Sequence, residues 1–513
     1  MHPRKFIRDS MNFAFAQYIV RATLMLRGVL AARLIGPEAF GAWSALQMMM
    51  DYGTLPLLGT QQGLDQMVPP RIVAGDPVAL RRVKRAALFN IVLLTSLFVL
   101  ACVGWVTLGS SRLLGAWGPW GIVLALTCIA SVNLANYQTS IQRSHGDFST
   151  VSVWMLLQGA IGGIAGLALT PWLHGWGLLA GWTAGCVFAF VYSTSRSREH
   201  APMSPVPAPE GLDLVQVGFP MFVLTASTMV MRSLDRLIIL RYLGNRDFGF
   251  YSISMMALTF LLYMPDAVTY VMYPRLLRQF GEDKGDPTNV RESVLRVVRT
   301  SSVFVPVLSG LVFLAAGPLV SLLLPKFHPG VGALRALCWG ALGLAFANFA
   351  SVVLMTVGRQ TMLMPTAFVA IGLGAALDLG AVKLGYGITG VAWATFATYS
   401  VNAAVLLTMA LTGLGQRGRD VLSGVGRLYA PMLVALALAT GPERWLPGAD
   451  AALGTRLLRM LGSMALFGAL YFVAVLPLAR GIGIRQMLSE FNLPLIGPLV
   501  RRFVNGRSSR ENP

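Results

Sequence analysis

The sequence predicts an all-α polytopic integral membrane protein of about fourteen transmembrane helices, and three observations predict it. Apolar residues make up 55% of the 513-residue chain and charged residues only 12%, where a soluble chain carries about 25% charge. Mean hydropathy is +0.63, which also excludes disorder, because a disordered chain cannot keep that much apolar surface solvated. Apolar runs long enough to cross a hydrocarbon core, about 20 residues each, recur along the chain between short polar or Gly/Pro-rich breaks. The 54 glycines and 28 prolines suit membrane helices, which tolerate both.

The expected spans are 12–35, 40–64, 86–108, 119–141, 150–171, 177–194, 213–243, 248–274, 300–324, 334–357, 362–384, 385–412, 427–445 and 455–479. The N-terminus lacks a cleavable signal pattern, and its first apolar run is long enough to stay in the membrane. Lys and Arg set the orientation. With a cytoplasmic N-terminus, 27 basic residues fall in inside segments and 8 in outside segments. Both termini are therefore expected in the cytoplasm. The bias accounts for most of the net charge of +19. Arg81, Arg82, Lys84 and Arg85 then read as an anchor facing anionic membrane lipids, not as a nucleic-acid patch.

Other segments follow from the same pattern. Residues 195–212 are polar and Pro-rich, a cytoplasmic linker after the sixth helix. The longest outside loop, around 443–456, has no room for a folded domain. Cys102, Cys128, Cys186 and Cys338 fall inside apolar runs without metal-ligand spacing and read as buried thiols. Trp117, Trp120, Trp172 and Trp176 share one level, as an interfacial aromatic belt would. The stretch 485–503 mixes apolar residues with arginines and reads as interfacial, although Pro494 and Pro498 break it.

The chain repeats itself. Residues 33–48, RLIGPEAFGAWSALQM, align at an offset of 208 with residues 241–256, RYLGNRDFGFYSISMM. Arg33, Gly36, Phe40, Gly41, Ser44 and Met48 match Arg241, Gly244, Phe248, Gly249, Ser252 and Met256, and Trp43 meets Tyr251. Six helices separate the copies, so both share one orientation. Parallel repeats about an axis along the membrane normal are a transporter plan, with the substrate site between the halves. Turn chemistry would explain the glycines but not the matched arginine.

RLIGPEAFGAWS, LDRLIILRYLGNRDFGFYS and GYGITGVAWATFATYS together resemble the polysaccharide transporters. These are bacterial flippases for lipid-linked oligosaccharides, in the superfamily of the lipid II flippases and the multidrug and toxin extrusion antiporters. The resemblance runs from about residue 12 to about 410. It implies two pseudo-symmetric six-helix lobes around a central cavity, plus two C-terminal helices. The corresponding segments are an N-lobe at 1–194, the linker, a C-lobe at 213–412, and two helices with a basic tail at 413–513. It further implies alternating access in the inner membrane, an undecaprenyl-pyrophosphate-linked glycan as substrate, and polysaccharide polymerase machinery as a partner.

Charges inside the apolar runs are the candidate site residues, because each costs at least about 2.5–3.5 kcal/mol at a helix centre. Arg21, Arg27 and Arg33 lie in the first helix. A spacing of six turns each by about 240° net, so the three cannot share one face. Arg33, paired by repeat with Arg241, reads as an outer anchor. Arg21 and Arg27 lie deeper and suit a pyrophosphate; the alternative is a buried ion pair with Asp51. Their spacing resembles the first helix of lipid II flippases, where arginines line the cavity. Asp51 itself fits either an arginine partner or a proton site. Arg232, Asp235 and Arg236 fall within one sector of about 100°, as an ion network or as substrate and coupling residues. Asp266 follows Pro265 and reads as the cap of a broken helix.

Asp235 and Asp378 lie about 29 and 24 Å along their helices, in the outer half of the membrane. In lipid II flippases, acids at these helices hold sodium with a carbonyl and a threonine. Val391 and Thr395 have the spacing of those last two ligands. Gly374 departs from that pattern, standing where the family has an amide. The implied coupling ion is Na⁺ or H⁺, with no other cofactor. A drug antiporter would carry acids rather than arginines in its N-lobe. A glycan polymerase or ligase would need a larger outer loop with catalytic groups, so no enzyme is expected.

Overall fold

The computed structural model describes residues 3–107, 117–197, 204–282, 287–416, 418–443 and 453–480. Among them there is no strand. Sixteen α-helices follow in order: α1 (Pro3–Tyr52), α2 (Thr60–Ala74), α3 (Pro77–Thr107), α4 (Gly118–Ser144), α5 (Phe148–Met155), α6 (Gly162–Leu173), α7 (Gly175–Ser197), α8 (Glu210–Tyr242), α9 (Asn245–Glu282), α10 (Pro287–Leu323), α11 (Val331–Leu337), α12 (Gly340–Thr356), α13 (Leu363–Lys383), α14 (Gly387–Gly413), α15 (Gly418–Glu443) and α16 (Leu453–Arg480). Eleven helical segments are long and apolar enough to cross a membrane, or twelve if the bent pair α11 and α12 counts as one span. The two arms of α1, which are not among these segments, cover the first expected span and the start of the second. The chain is a multi-pass membrane protein. It divides into two units, Met1–Met256 and Ala257–Pro513.

Several helices differ from the one-run, one-helix expectation. α1 bends at Gly36, whose φ of 79° leaves the helical region, and Pro37 opens the second arm, where its missing N–H costs nothing. The expected span 40–64 is broken. After Tyr52 the chain passes through a short 3₁₀ turn, then Leu58 (φ 48°) and Gly59 (φ 93°), before α2 begins. Asn133 closes that break, donating from its amide to the Gly53 carbonyl at 3.1 Å. α5 runs through a π-helical turn, Leu156–Ile161, into α6. α9 is continuous through Pro265, so Asp266 caps nothing; its carboxylate accepts from the Asn348 amide at 3.0 Å.

Smaller expectations are also revised. Lys84 and Val83 are buried, while Arg81, Arg82 and Arg85 stay exposed. Arg82 meets Glu210 at 3.8 Å. Trp120 and Trp172 are exposed, but Trp117 is buried and packs edge-on against Trp176. Cys128, Cys186 and Cys338 are buried and Cys102 is half-buried. The stretch 485–503 and most of the loop 443–456 lie outside the described residues.

Glycine lets backbones approach in the first unit. Membrane helices gain nothing from burying apolar side chains against apolar lipid, so close packing decides their association. α6 and α7 meet along Gly162, Gly166, Gly181 and Gly185; a Cβ on Gly181 would lie 2.1 Å from the Gly166 nitrogen. The repeat meets itself in the same way. A Cβ on Gly41 would lie 1.8 Å from the Asn245 carbonyl oxygen, and one on Gly249 would lie 1.9 Å from the Pro37 oxygen. Residues 37 and 245, like 41 and 249, are one repeat offset apart, so this contact is reciprocal. The matched glycines thus have two jobs. Gly36 and Gly244 take positive φ in the turns, and Gly41 and Gly249 form the crossing. Toward its other end, Gly59 and Gly63 approach α8 equally closely, with a Cβ on Gly218 falling 2.0 Å from the Gly59 oxygen.

In the second unit, α12 packs on α14 with Gly343 against the Tyr399 backbone. α15 and α16 are fastened to α10. Ser302 donates to the Leu428 carbonyl at 2.6 Å, Tyr471 donates to the Val303 carbonyl at 2.9 Å, and Gly310 faces the Phe467 ring. Gly41→Ala or Gly249→Ala should each cost about 1–3 kcal/mol, as overpacking does. Gly372→Ala, with nothing within 4 Å of its added methyl, should cost nothing. Thermal unfolding of the purified variants in detergent measures the difference.

Candidate functional site

The first helix carries its three arginines into three environments. Arg33 is exposed, Arg21 is half-buried and Arg27 is buried. Arg27 is 6% exposed and is held by four segments. It rises from the first arm of α1, and its guanidinium lies over the Trp43 ring on the second arm at 5.4 Å and over the Trp182 ring on α7 at 4.9 Å. On α6, Gly163 leaves room for its stem; an added Cβ there would sit 3.4 Å from Arg27 Cδ. Two indole faces attract the cation and leave its N–H edges free. Nε and Nη1 are buried without a hydrogen-bond partner. The alternative reading of an ion pair with Asp51 is not borne out, since Arg27 Nε and Nη1 have no hydrogen-bond partner.

Asp51 sits at the end of α1, where the second span breaks, and is exposed at the surface of its unit. The cation acting on it is Arg236. Beside it, Tyr52 and Ser233 share a hydroxyl–hydroxyl hydrogen bond between α1 and α8. The break was legible as glycine and proline in DYGTLPLLG, residues 51–59, but the length of the apolar run concealed it.

On α8 the cluster at 232–236 is not a simple row of alternating charges. Asp235 is 2% exposed. Its carboxylate accepts from the Tyr251 hydroxyl at 2.5 Å and from the Arg236 N–H at 2.8 Å. The Arg236 guanidinium donates to the Arg232 carbonyl at 3.1 Å, and both arginines are half-buried. Sequence reasoning missed Tyr251 as the partner of the acid. A signal was present: Arg27 and Asp235 are one repeat offset apart, as are Trp43 and Tyr251. Each repeat therefore buries one charge on its first helix against the equivalent aromatic ring of its second. The charge is positive in one copy and negative in the other.

In the second unit, Asp378 on α13 is 2% exposed, and Val391 and Thr395 on the adjoining α14 are buried. Gly374 is buried one helical turn before Asp378. Asp235 belongs to the first unit and these three residues to the second. Among the described residues, no group of three or more His, Cys, Asp or Glu side chains is placed to hold a metal ion.

Residues 29–328 match the family model described as "Polysaccharide biosynthesis protein". The chain belongs to that polysaccharide biosynthesis family. Solved structures share its fold. The lipid II flippase MurJ in an inward closed conformation superposes with a TM-score of 0.70 at 13% identity, covering 90% of this chain and 99% of that one. A multidrug resistance MATE family transporter of the MOP superfamily, in its outward-facing conformation, gives 0.56 at 15% identity over 82% and 96%. A MOP superfamily transporter from Pyrococcus furiosus, described as having a binding pocket of reverse polarity, gives 0.57 at 16% identity over 82% and 96%. No curated protein matches the chain in sequence. This member of the polysaccharide biosynthesis family therefore has the fold of MurJ and the MATE transporters, with a buried cation in the first helix.

A charge held for folding and a charge held for a ligand differ in what their removal does. Arg27→Met keeps the packed volume and removes two unsatisfied buried donors, so it should not lower the melting temperature. Tyr251→Phe leaves the buried Asp235 short of a donor and should cost about 1–3 kcal/mol. Parallel thermal melts of the two variants separate the cases.

Proposed function

We propose that the chain flips an undecaprenyl-pyrophosphate-linked oligosaccharide from the cytoplasmic to the periplasmic leaflet of the bacterial inner membrane, by alternating access, for surface polysaccharide biosynthesis. One observation carries this reading: Arg27 is a buried guanidinium with two unbonded donors, held open between Trp43 and Trp182. A cation kept dry at such cost calls for an anion, and a diphosphate offers the oxygens that guanidinium donors fit. Membership of a polysaccharide biosynthesis family supports a lipid-linked glycan as the bearer of that diphosphate. Arg21, Arg232 and Arg236 are proposed to extend the same recognition. Both termini then lie in the cytoplasm, and polysaccharide polymerase machinery receives the product.

The carboxylates in the apolar runs are proposed to couple transport to Na⁺ or H⁺. Asp378, with the Val391 carbonyl and the Thr395 hydroxyl, supplies hard oxygen ligands in the second unit. Asp235 and Asp51 supply titratable groups in the first. The glycine approaches at the two ends of the second span, Gly41 with Gly249 and Gly63 with α8, are contacts that alternating access would make and break in turn.

Deleting the gene should cause a complete lipid-linked repeat unit to accumulate, inaccessible from the periplasm, as read by mass spectrometry of undecaprenyl-linked glycans. Unchanged glycans would redirect the assignment to small-molecule antiport. Unpolymerised glycans already accessible outside would point to an enzyme. Asp378→Asn should abolish ion-dependent transport while leaving membrane abundance intact; normal transport by that variant removes the coupling role.

A further inference from the structure

A second cationic site lies far along the chain from Arg27, within the second unit. The first turns of α10 present Arg291, Leu295 and Arg299 at successive i, i+4 positions, and so on one helix face. With Gly415 and Gln416 after α14, and Asp420 in the first turn of α15, they line a cavity of about 510 Å³. Neither the Arg291 nor the Arg299 guanidinium makes an ion pair or hydrogen bond among the described residues. Arg296, on another face of α10, is satisfied by Glu292 at 3.9 Å. The arginines are not spent on the end of α14 either. Its last carbonyls accept from the Leu414, Gly415 and Gln416 N–H groups, with Gly415 at φ 82°.

Among the described residues the cavity is thus a half-buried place that sets two arginines without an ion pair beside one carboxylate. α15 begins at its rim, and the positive end of a helix dipole favours an anion there. All three helices are long and apolar enough to cross a membrane, and the cavity lies at their polar ends: Arg291 and Arg299 precede the apolar run 300–324 of α10, and Gly415, Gln416 and Asp420 lie between the apolar runs of α14 and α15. That is the level of lipid phosphates, on the side to which the Lys/Arg excess assigns the cytoplasm. Among the described lining residues two arginines outnumber one aspartate, so the cleft favours an anion, and at the membrane boundary the phosphodiester of a lipid headgroup is the anion at hand.

We propose that the cleft formed by Arg291, Arg299, Gln416 and Asp420 is a binding site for the phosphate headgroup of an anionic phospholipid. The lipid ties the amino end of α10 to the turn between α14 and α15. It thereby links α15 and α16, the two helices without a recognised motif, to the polar boundary of the second unit. The inference rests on the membrane location alone and stands or falls independently of the transported substrate.

The test uses the delipidated full-length protein in detergent. Phosphatidylglycerol, phosphatidylcholine or inorganic phosphate is added while thermal stability is followed, and bound lipid is counted by native mass spectrometry. Phosphatidylglycerol should raise the melting temperature and remain bound; phosphatidylcholine should do neither. The double variant Arg291→Gln/Arg299→Gln should weaken phosphatidylglycerol binding about thirty-fold, from the contribution of two juxtamembrane arginines. Arg296→Gln should leave it unchanged. Asp420→Asn should tighten it, which keeps the test informative if the double variant folds poorly. Equal binding of phosphatidylglycerol by the double variant overturns the proposal, as does equal binding of phosphatidylcholine. An equal effect of inorganic phosphate at the same concentration overturns the lipid assignment in favour of a soluble anion.

Discussion

The reciprocal approach of Gly41 and Gly249 is the constraint that brings the two copies of the repeat together in the first unit. In lipid, helices gain nothing from hiding leucine from its surroundings, so close backbone packing has to hold them together. Side chains at either position would push the second arm of α1 away from the start of α9. That would in turn move Trp43 and Tyr251, which lie two residues beyond each glycine. The aromatic rings are where they are because the backbones can touch, and the buried charges are where they are because the rings are in place.

Arg27 and Asp235 show what the repeat has been used for. Equivalent positions carry opposite charges, each seated on the equivalent ring. The surroundings then diverge. Tyr251 can donate a hydrogen bond, and it satisfies a carboxylate. Trp43 offers a π face with negative character, and together with Trp182 it holds a cation without engaging its N–H groups. One architecture thus produces a satisfied acid in one copy and an unsatisfied base in the other. The unsatisfied member is the one on which the proposed function rests.

The order of elements was readable along the chain. Composition identified a membrane protein, and twelve of the fourteen apolar runs reappear, with the bent pair taken as one, as helical segments long and apolar enough to cross, because spanning a hydrocarbon layer demands about 20 apolar residues in any fold. The motif resemblance pointed to the family that residues 29–328 match. The site was only partly readable. Arg27, Asp235 and Asp378 stood out because charge is rare in such runs. Their partners did not, since Trp43, Trp182 and Tyr251 look like ordinary apolar positions until three-dimensional packing brings them to a charge. The alternative of an Arg27–Asp51 pair was undecidable for the same reason. Proximity in sequence class says nothing about which helix faces which.

What the sequence by itself determined is therefore the all-helical, membrane-spanning class and the presence of a repeat; the class is a consequence of the solvent that a chain this apolar must occupy. What only the tertiary structure decided is which glycines turn the chain and which join helices, where the second span breaks beside Asp51, and which buried charge is left without a partner. Those depend on contacts between helices, and a contact is set by the two surfaces that meet, which no single stretch of residues encodes.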